Sequence, residues 1–166
     1  MTIIVARDGI MAADSACFAN DLIVGHTKKI TRLNDGCLIG LTGTSALILK
    51  LTAFLNDGGD VPTFPDDEMP CGLMLDVSGA IHKVEGVNVF IVECEYAASG
   101  APMEMAYGAL GAGASASEAV KVCIERHVWC GGTIQAEAIG SPLHAADAHL
   151  RPRAMQQAIN SAWATY

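Results

Sequence analysis

The sequence predicts an α+β fold in which two mostly antiparallel sheets lie face to face, each covered on its outer side by helices. Three observations predict it. Short apolar runs are joined by tight turns, which makes neighbouring strands antiparallel. The apolar period changes from two to about 3.6 in blocks, so helices separate groups of strands instead of alternating with single ones. Residues 37–41 are apolar without strict alternation, as a strand buried on both faces must be.

Residues 2–6 and 10–13 read as strands around Asp8-Gly9, a strong two-residue hairpin signal. Residues 22–24, 29–33 and 37–41 read as further short strands, with Asn34-Asp35-Gly36 turning between the last two. Leu47, Ile48, Leu51, Phe54 and Leu55 then share one helical face, with Thr44 or Ser45 to cap its start and Gly58-Gly59 to end it. The Pro- and Asp-rich stretch 60–70 reads as a loop. Residues 71–77 and 80–84 flank Ser78-Gly79 as a second hairpin, and 87–95 reads as a strand. Helices return after Ser99-Gly100. Pro102 suits a first turn, and Met103, Ala106, Tyr107 and Leu110 share a face until Gly111 and Gly113 break the run. Ser115 and Glu118 have the spacing of a capping box, with Ala119, Val120, Cys123 and Ile124 as the buried stripe behind it. Gly131-Gly132 leads into a last strand over 133–139, and a C-terminal tail helix is expected over about 144–166. The whole, 1–166, is expected to be one domain.

Composition excludes several classes. Hydrophobic residues make up 51% and mean hydropathy is +0.34, which supports a real core and argues against disorder. The net charge of −8, with ten basic residues and no basic run longer than Lys28-Lys29, argues against nucleic-acid or anionic-membrane binding. No apolar stretch is long enough to span a bilayer, and Arg7, Asp8 and Asp14 stand where a signal peptide would be apolar, so a cytoplasmic protein is expected. Cys17, Cys37, Cys71, Cys94, Cys123 and Cys130 form no C-x-x-C pair and read as reduced, mostly packed thiols. His144 and His149 are five apart, off the spacing a shared metal prefers. Neither a metal nor a cofactor is called for.

The chemistry concentrates at the front. If Asp8-Gly9 is the turn, counting outward brings Thr2 and Asp14 together at the open end of the hairpin. A threonine hydroxyl is a weak nucleophile that needs a base. With Met1 removed, the α-amine of Thr2 is such a base, titrating near pH 8 when unperturbed. A nearby lysine would depress that amine and stabilise an alkoxide. Lys28 and Lys29 are both candidates, with Asp14 to hold the lysine charged. Residues 41–45, reading LTGTS, join a strand to a helix N-terminus, where a glycine and the helix dipole suit an oxyanion.

Thr2, Asp14-Ser15, Lys28-Lys29-Ile30 with Arg32-Leu33, Thr42-Gly43-Thr44, Ala98-Ser99-Gly100 and Cys130-Gly131-Gly132 occur in this order. In this the chain resembles proteasome β-type subunits, N-terminal-nucleophile hydrolases of the bacterial proteasome-like, HslV-like kind. The resemblance runs from Thr2 to about Ile139. It implies a four-layer αββα sandwich and a threonine-type peptidase. Thr2 would be the nucleophile, Asp14 the acid supporting Lys29, Gly43 the oxyanion donor, and Ser99 a hydrogen-bond partner near the Thr2 amine. Cys17, Thr27, Leu41 and Ser45 would line the side-chain pocket, and Phe18 would offer backbone to an extended substrate. It further implies a homo-oligomer of stacked rings enclosing the sites, with peptide or unfolded protein as substrate, and it allows an ATPase unfoldase as partner.

Two positions depart from that pattern. His127 stands where an Asp is expected, and Cys130 where a Ser is expected. They also raise a Cys–His nucleophilic pair, against which a helix-end His and a packed thiol is the simpler reading. Two other functions stay open: a catalytically silent subunit serving assembly, and an amidase acting on a small amide.

Overall fold

A computed structural model describes residues 2–140. The chain runs β1 (Ile3–Arg7), β2 (Ile10–Asp14), β3 (Ala16–Ala19), β4 (Leu22–His26), β5 (Ile30–Arg32), β6 (Leu38–Thr42), α1 (Ser45–Asp57), β7 (Cys71–Leu75), β8 (Ile81–Glu85), β9 (Asn88–Val92), β10 (Tyr96–Gly100), α2 (Met103–Gly111), α3 (Ala116–Arg126) and β11 (Ile134–Ala138). One sheet has the order β10-β1-β2-β11, the other β5-β6-β7-β8-β9, and β3-β4 form a separate ribbon. All pairings within them are antiparallel.

Strand alternation sorts the apolar residues into three layers of core. From β1, Ile4 and Ala6 face the second sheet and meet Ile30, Leu38, Leu73 and Leu75. Ile3 and Val5 face the other way, against Ala106 and Leu110 of α2 and Ala119, Val120 and Cys123 of α3. On the far side, Ile39, Leu41, Met74 and Val84 pack under Leu51, Phe54 and Leu55 of α1. Each fully buried large side chain contributes about 1.5–3 kcal/mol. The result is a four-layer αββα sandwich, and its central strands β1, β6 and β7 are apolar on both faces because both faces are covered.

Local signals explain the element ends. Asp8 and Gly9 both have positive φ (51° and 73°), the conformation of a two-residue hairpin turn. Ser115 and Glu118 form the full capping box of α3. Gly58 ends α1. Thr44 occupies the N-cap position of α1, yet its side chain makes no capping bond and its hydroxyl reaches Glu68 instead.

Two strands lie where the sequence reading places no element, and two expectations need correction. The segment 96–100 is a strand. Its small residues have little intrinsic strand preference, and it is strand because β1 pairs with it along its length. Residues 16–19 form β3, whose pairing is irregular between Cys17 and Phe18. The strand expected over 87–95 is only Asn88–Val92. In α2, Ala106 and Leu110 are buried while Met103 and Tyr107 stand partly exposed, so the packed stripe is narrower than the periodicity implies. The tail helix expected over about 144–166, and His144 and His149 with it, lie outside the described residues.

A partly buried turn between β7 and β8 carries the clearest titrating group. Asp76 accepts from His82 Nε2 (2.8 Å) and from the backbone N–H of Ser78 (2.8 Å) and Ala80 (3.1 Å). Burial opposes its ionisation, but the bonds from His82, Ser78 and Ala80 outweigh it and hold the carboxyl well below the usual carboxylate range. A depressed carboxyl stabilises the fold above its unfolded pKa, and that stabilisation is lost as pH falls. Asp76→Asn should therefore lose about 1–3 kcal/mol at neutral pH in urea unfolding. The gap from wild type should narrow as pH drops below about 4. A gap independent of pH would contradict this.

Candidate active site

The hairpin β1–β2 pairs Arg7 with Ile10 and Ile4 with Ala13. One step further out, the Asp14 side chain folds back on the start of β1, where Oδ1 accepts the Ile3 N–H at 3.0 Å. Asp14 is fully buried. Its Oδ2 accepts the Gly131 N–H (3.3 Å), and Oδ1 also takes Lys29 Nζ at 2.8 Å. The Lys29 side chain is only 6% exposed. This ion pair joins the two sheets, since Asp14 ends β2 and Lys29 immediately precedes β5. With both charges desolvated, the pair persists only because the remaining carboxylate lone pairs are met by backbone donors.

The two lysines have separate fates. Lys28 is mostly exposed and pairs with Glu137 at 2.7 Å, so of the two candidates Lys29 alone meets Asp14.

Thr2 is half-buried, between two cavities. The first, of about 280 Å³, brings together Thr2, Lys29 and Gly43 with all five residues expected to bind substrate: Cys17, Phe18, Thr27, Leu41 and Ser45. The second, of about 380 Å³, is lined by Thr2, Gly43, Thr42, Cys71 and Gly100 among others. Gly43 has φ of +133° where β6 turns into α1, a backbone shape that L side chains rarely adopt. Ser99 lies opposite Ile4 on the neighbouring strand β10 and is buried. Next to it, Gly100 abuts the Thr2 carbonyl, leaving no room for a Cβ.

His127 and Cys130 do not form a nucleophilic pair. His127 ends α3, and its Nδ1 accepts the N–H of Trp129 (3.2 Å). Cys130 packs in the core under α2 and α3. Burial, then the Asp14 charge, pushes its thiol up to about 12, so it is an un-ionised thiol at neutral pH. All six cysteines are free, with Cys37, Cys123 and Cys130 buried and Cys94 exposed.

Two features have no signature in the residues. Ser15, buried beside Asp14, accepts the Thr133 N–H (2.8 Å) and sits 3.1 Å from both His26 Nδ1 and Thr133 Oγ1, which ties the loop before β11 to the end of β2. Gln135 of β11 holds the backbone around Lys29. Both are made by side chains over 100 residues from the segments they hold, so no local spacing announces them. Among the described residues, no three His, Cys, Asp or Glu side chains gather as a metal site, and no helix is long and apolar enough to cross a membrane.

No protein-family model and no curated protein matches the sequence. Solved structures do match. Thiobacillus denitrificans BPH in complex with epoxomicin superposes with a TM-score of 0.64 at 19% identity, over 85% of this chain and 100% of that one. Another structure of the same protein gives 0.61 at 18%, over 84% and 98%. Eukaryotic HslV from Trypanosoma brucei gives 0.64 at 19%, over 82% and 98%. The chain has a proteasome β-type, HslV-like fold. In this HslV-like frame, the Asp14–Lys29 pair sits at the open end of the first hairpin, beside the residue that precedes β1.

Because Asp14 is fully buried with its partner, Asp14→Asn should destabilise the fold by about 3–5 kcal/mol in urea unfolding. The double variant Asp14→Asn/Lys29→Met should recover part of that loss, as it leaves no unpaired ammonium. A single-variant loss under about 1 kcal/mol would show the pair to be as hydrated as a surface one.

Proposed function

We propose that the chain is a threonine-type peptidase whose nucleophile is Thr2, freed by removal of Met1. The observation that carries this is the buried Asp14–Lys29 pair, whose Lys29 lines the same cavity as Thr2 and Gly43. The Thr2 amine takes the hydroxyl proton as Oγ attacks the scissile carbonyl. The Lys29 ammonium, paired with Asp14, and the Gly43 N–H stabilise the oxyanion. Collapse breaks the C–N bond, and the protonated terminal amine returns its proton to the leaving amine. Water, activated by the same amine, then hydrolyses the Thr2 ester and releases the acid. Ser99 hydrogen-bonds near the amine. Cys17, Thr27, Leu41 and Ser45 hold the substrate side chain, and the backbone of Phe18 pairs with the extended peptide.

The HslV-like fold supports extending this reading to a cytoplasmic homo-oligomer of stacked rings that encloses its sites, takes peptide or unfolded protein, and works with an ATPase unfoldase. A second reading, a catalytically silent assembly subunit, draws on His127 and Cys130, since neither supplies the polar group that the resemblance expects there. It predicts a retained Met1.

Incubation of Met1-free protein with a β-lactone should add one acyl mass on Thr2, and Thr2→Ala should abolish the adduct. Lys29→Ala should slow acylation by about 10²–10³-fold, the loss typical of one oxyanion-stabilising group. Absence of an adduct on protein confirmed to begin at Thr2 would overturn the reading.

A further inference from the structure

Lys28 and Lys29 are adjacent, yet their side chains go to different partners, Lys28 to Glu137 and Lys29 to Asp14. A slip of one residue would exchange them. Lys28 and Lys29 precede β5 and belong to no sheet ladder, so no ladder bond orients them. Side chains of β11 act there instead. Gln135 Oε1 accepts the Lys29 N–H at 2.9 Å, and its Nε2 donates to the Thr27 carbonyl at 2.6 Å. A single side-chain amide thus meets both backbone groups that a neighbouring peptide unit would meet. The Thr27 N–H is fixed separately, by the Ser15 carbonyl (2.9 Å). Two residues along β11, on the same face, Glu137 draws Lys28 Nζ outward at 2.7 Å, while Asp14 holds Lys29 inward at 2.8 Å. Arg32 anchors the far end of the segment on the Ala138 carbonyl (2.7 Å).

We propose that Gln135 and Glu137 are positioning residues that sort the lysine pair, the Gln135 amide setting the register and Glu137 claiming Lys28, so that Lys29 alone enters the site. The relevance to catalysis rests on the proposed role of Lys29, but the sorting itself is a property of the fold. A side chain that served stability alone would lower the unfolding midpoint and leave the Lys29 nitrogen shielded. A sorting residue, once removed, exposes that nitrogen in protein that is still folded.

The test is reductive methylation of the full-length native protein, followed by peptide mass spectrometry. In wild type, Lys28 should react quickly and Lys29 slowly. In Gln135→Leu, which removes both bonds, Lys29 should react about tenfold faster, the fold-change of one to two lost hydrogen bonds. Exposed Lys121 should not change. Gln135→Glu keeps the acceptor for the Lys29 N–H and loses the donor to Thr27, so it should fall between; it carries the test if Gln135→Leu does not fold. Lys29 as protected in the folded variants as in wild type would overturn the proposal. β-Lactone labelling of Thr2 in the same proteins should slow in the order wild type, Gln135→Glu, Gln135→Leu, with a shifted pH profile. Were wild-type Thr2 itself unlabelled, the peptidase reading would fall, while the methylation rates would still decide the sorting.

Discussion

An ammonium and a carboxylate, both withdrawn from water, connect the two sheets of this protein beside the start of its first strand. Lys29 stands at the edge of one sheet and Asp14 at the end of a strand in the other. Such a pair is not a cheap source of stability, because desolvation can exceed the attraction. It survives here because Ile3 and Gly131 supply backbone donors to the same carboxylate. The sheets must therefore meet in one register for the charges to find each other. The inter-sheet core of Ile4, Met11, Ile30, Leu38 and Leu75 provides that register.

The rest of the site follows from how the layers end. β1 is held on one side by β2 and on the other by β10, and the close approach of Gly100 to the Thr2 carbonyl keeps the start of the chain against its neighbour. β6 emerges from the second sheet and turns through Gly43 into α1, so the N-terminus of a 13-residue helix faces the same space. Thr2 thus sits where two cavities meet, with the ion pair behind it and a helix dipole in front.

Much of this was legible in the residues. The Asp8-Gly9 turn fixes the hairpin register, and that register alone brings Asp14 to the start of β1. The Ser115–Glu118 spacing locates α3, and the unbroken apolar strands announce sheets covered on both faces. What was not legible has one cause: tertiary pairing. Beyond Tyr96, β10 is a run of small residues made into strand by β1. Residues 27–29 leave Lys28 and Lys29 equivalent until Gln135 and Glu137, more than 100 positions away, distinguish them. The bond of Ser15 to the Thr133 N–H, across 118 positions, is of the same kind. No period or motif encodes a side chain that stands in for a strand.

If the Lys29 ammonium acts on a free Thr2 terminus, as we propose, the charge of one must be felt by the other. The direct measurement is an NMR titration of the Thr2 α-amine in Met1-free protein with ¹⁵N-labelled threonine. The account predicts an amine that titrates below the value near 8 of an isolated terminus, and that returns toward it in Lys29→Met. An amine with the ordinary value, unmoved by Lys29→Met, would contradict it.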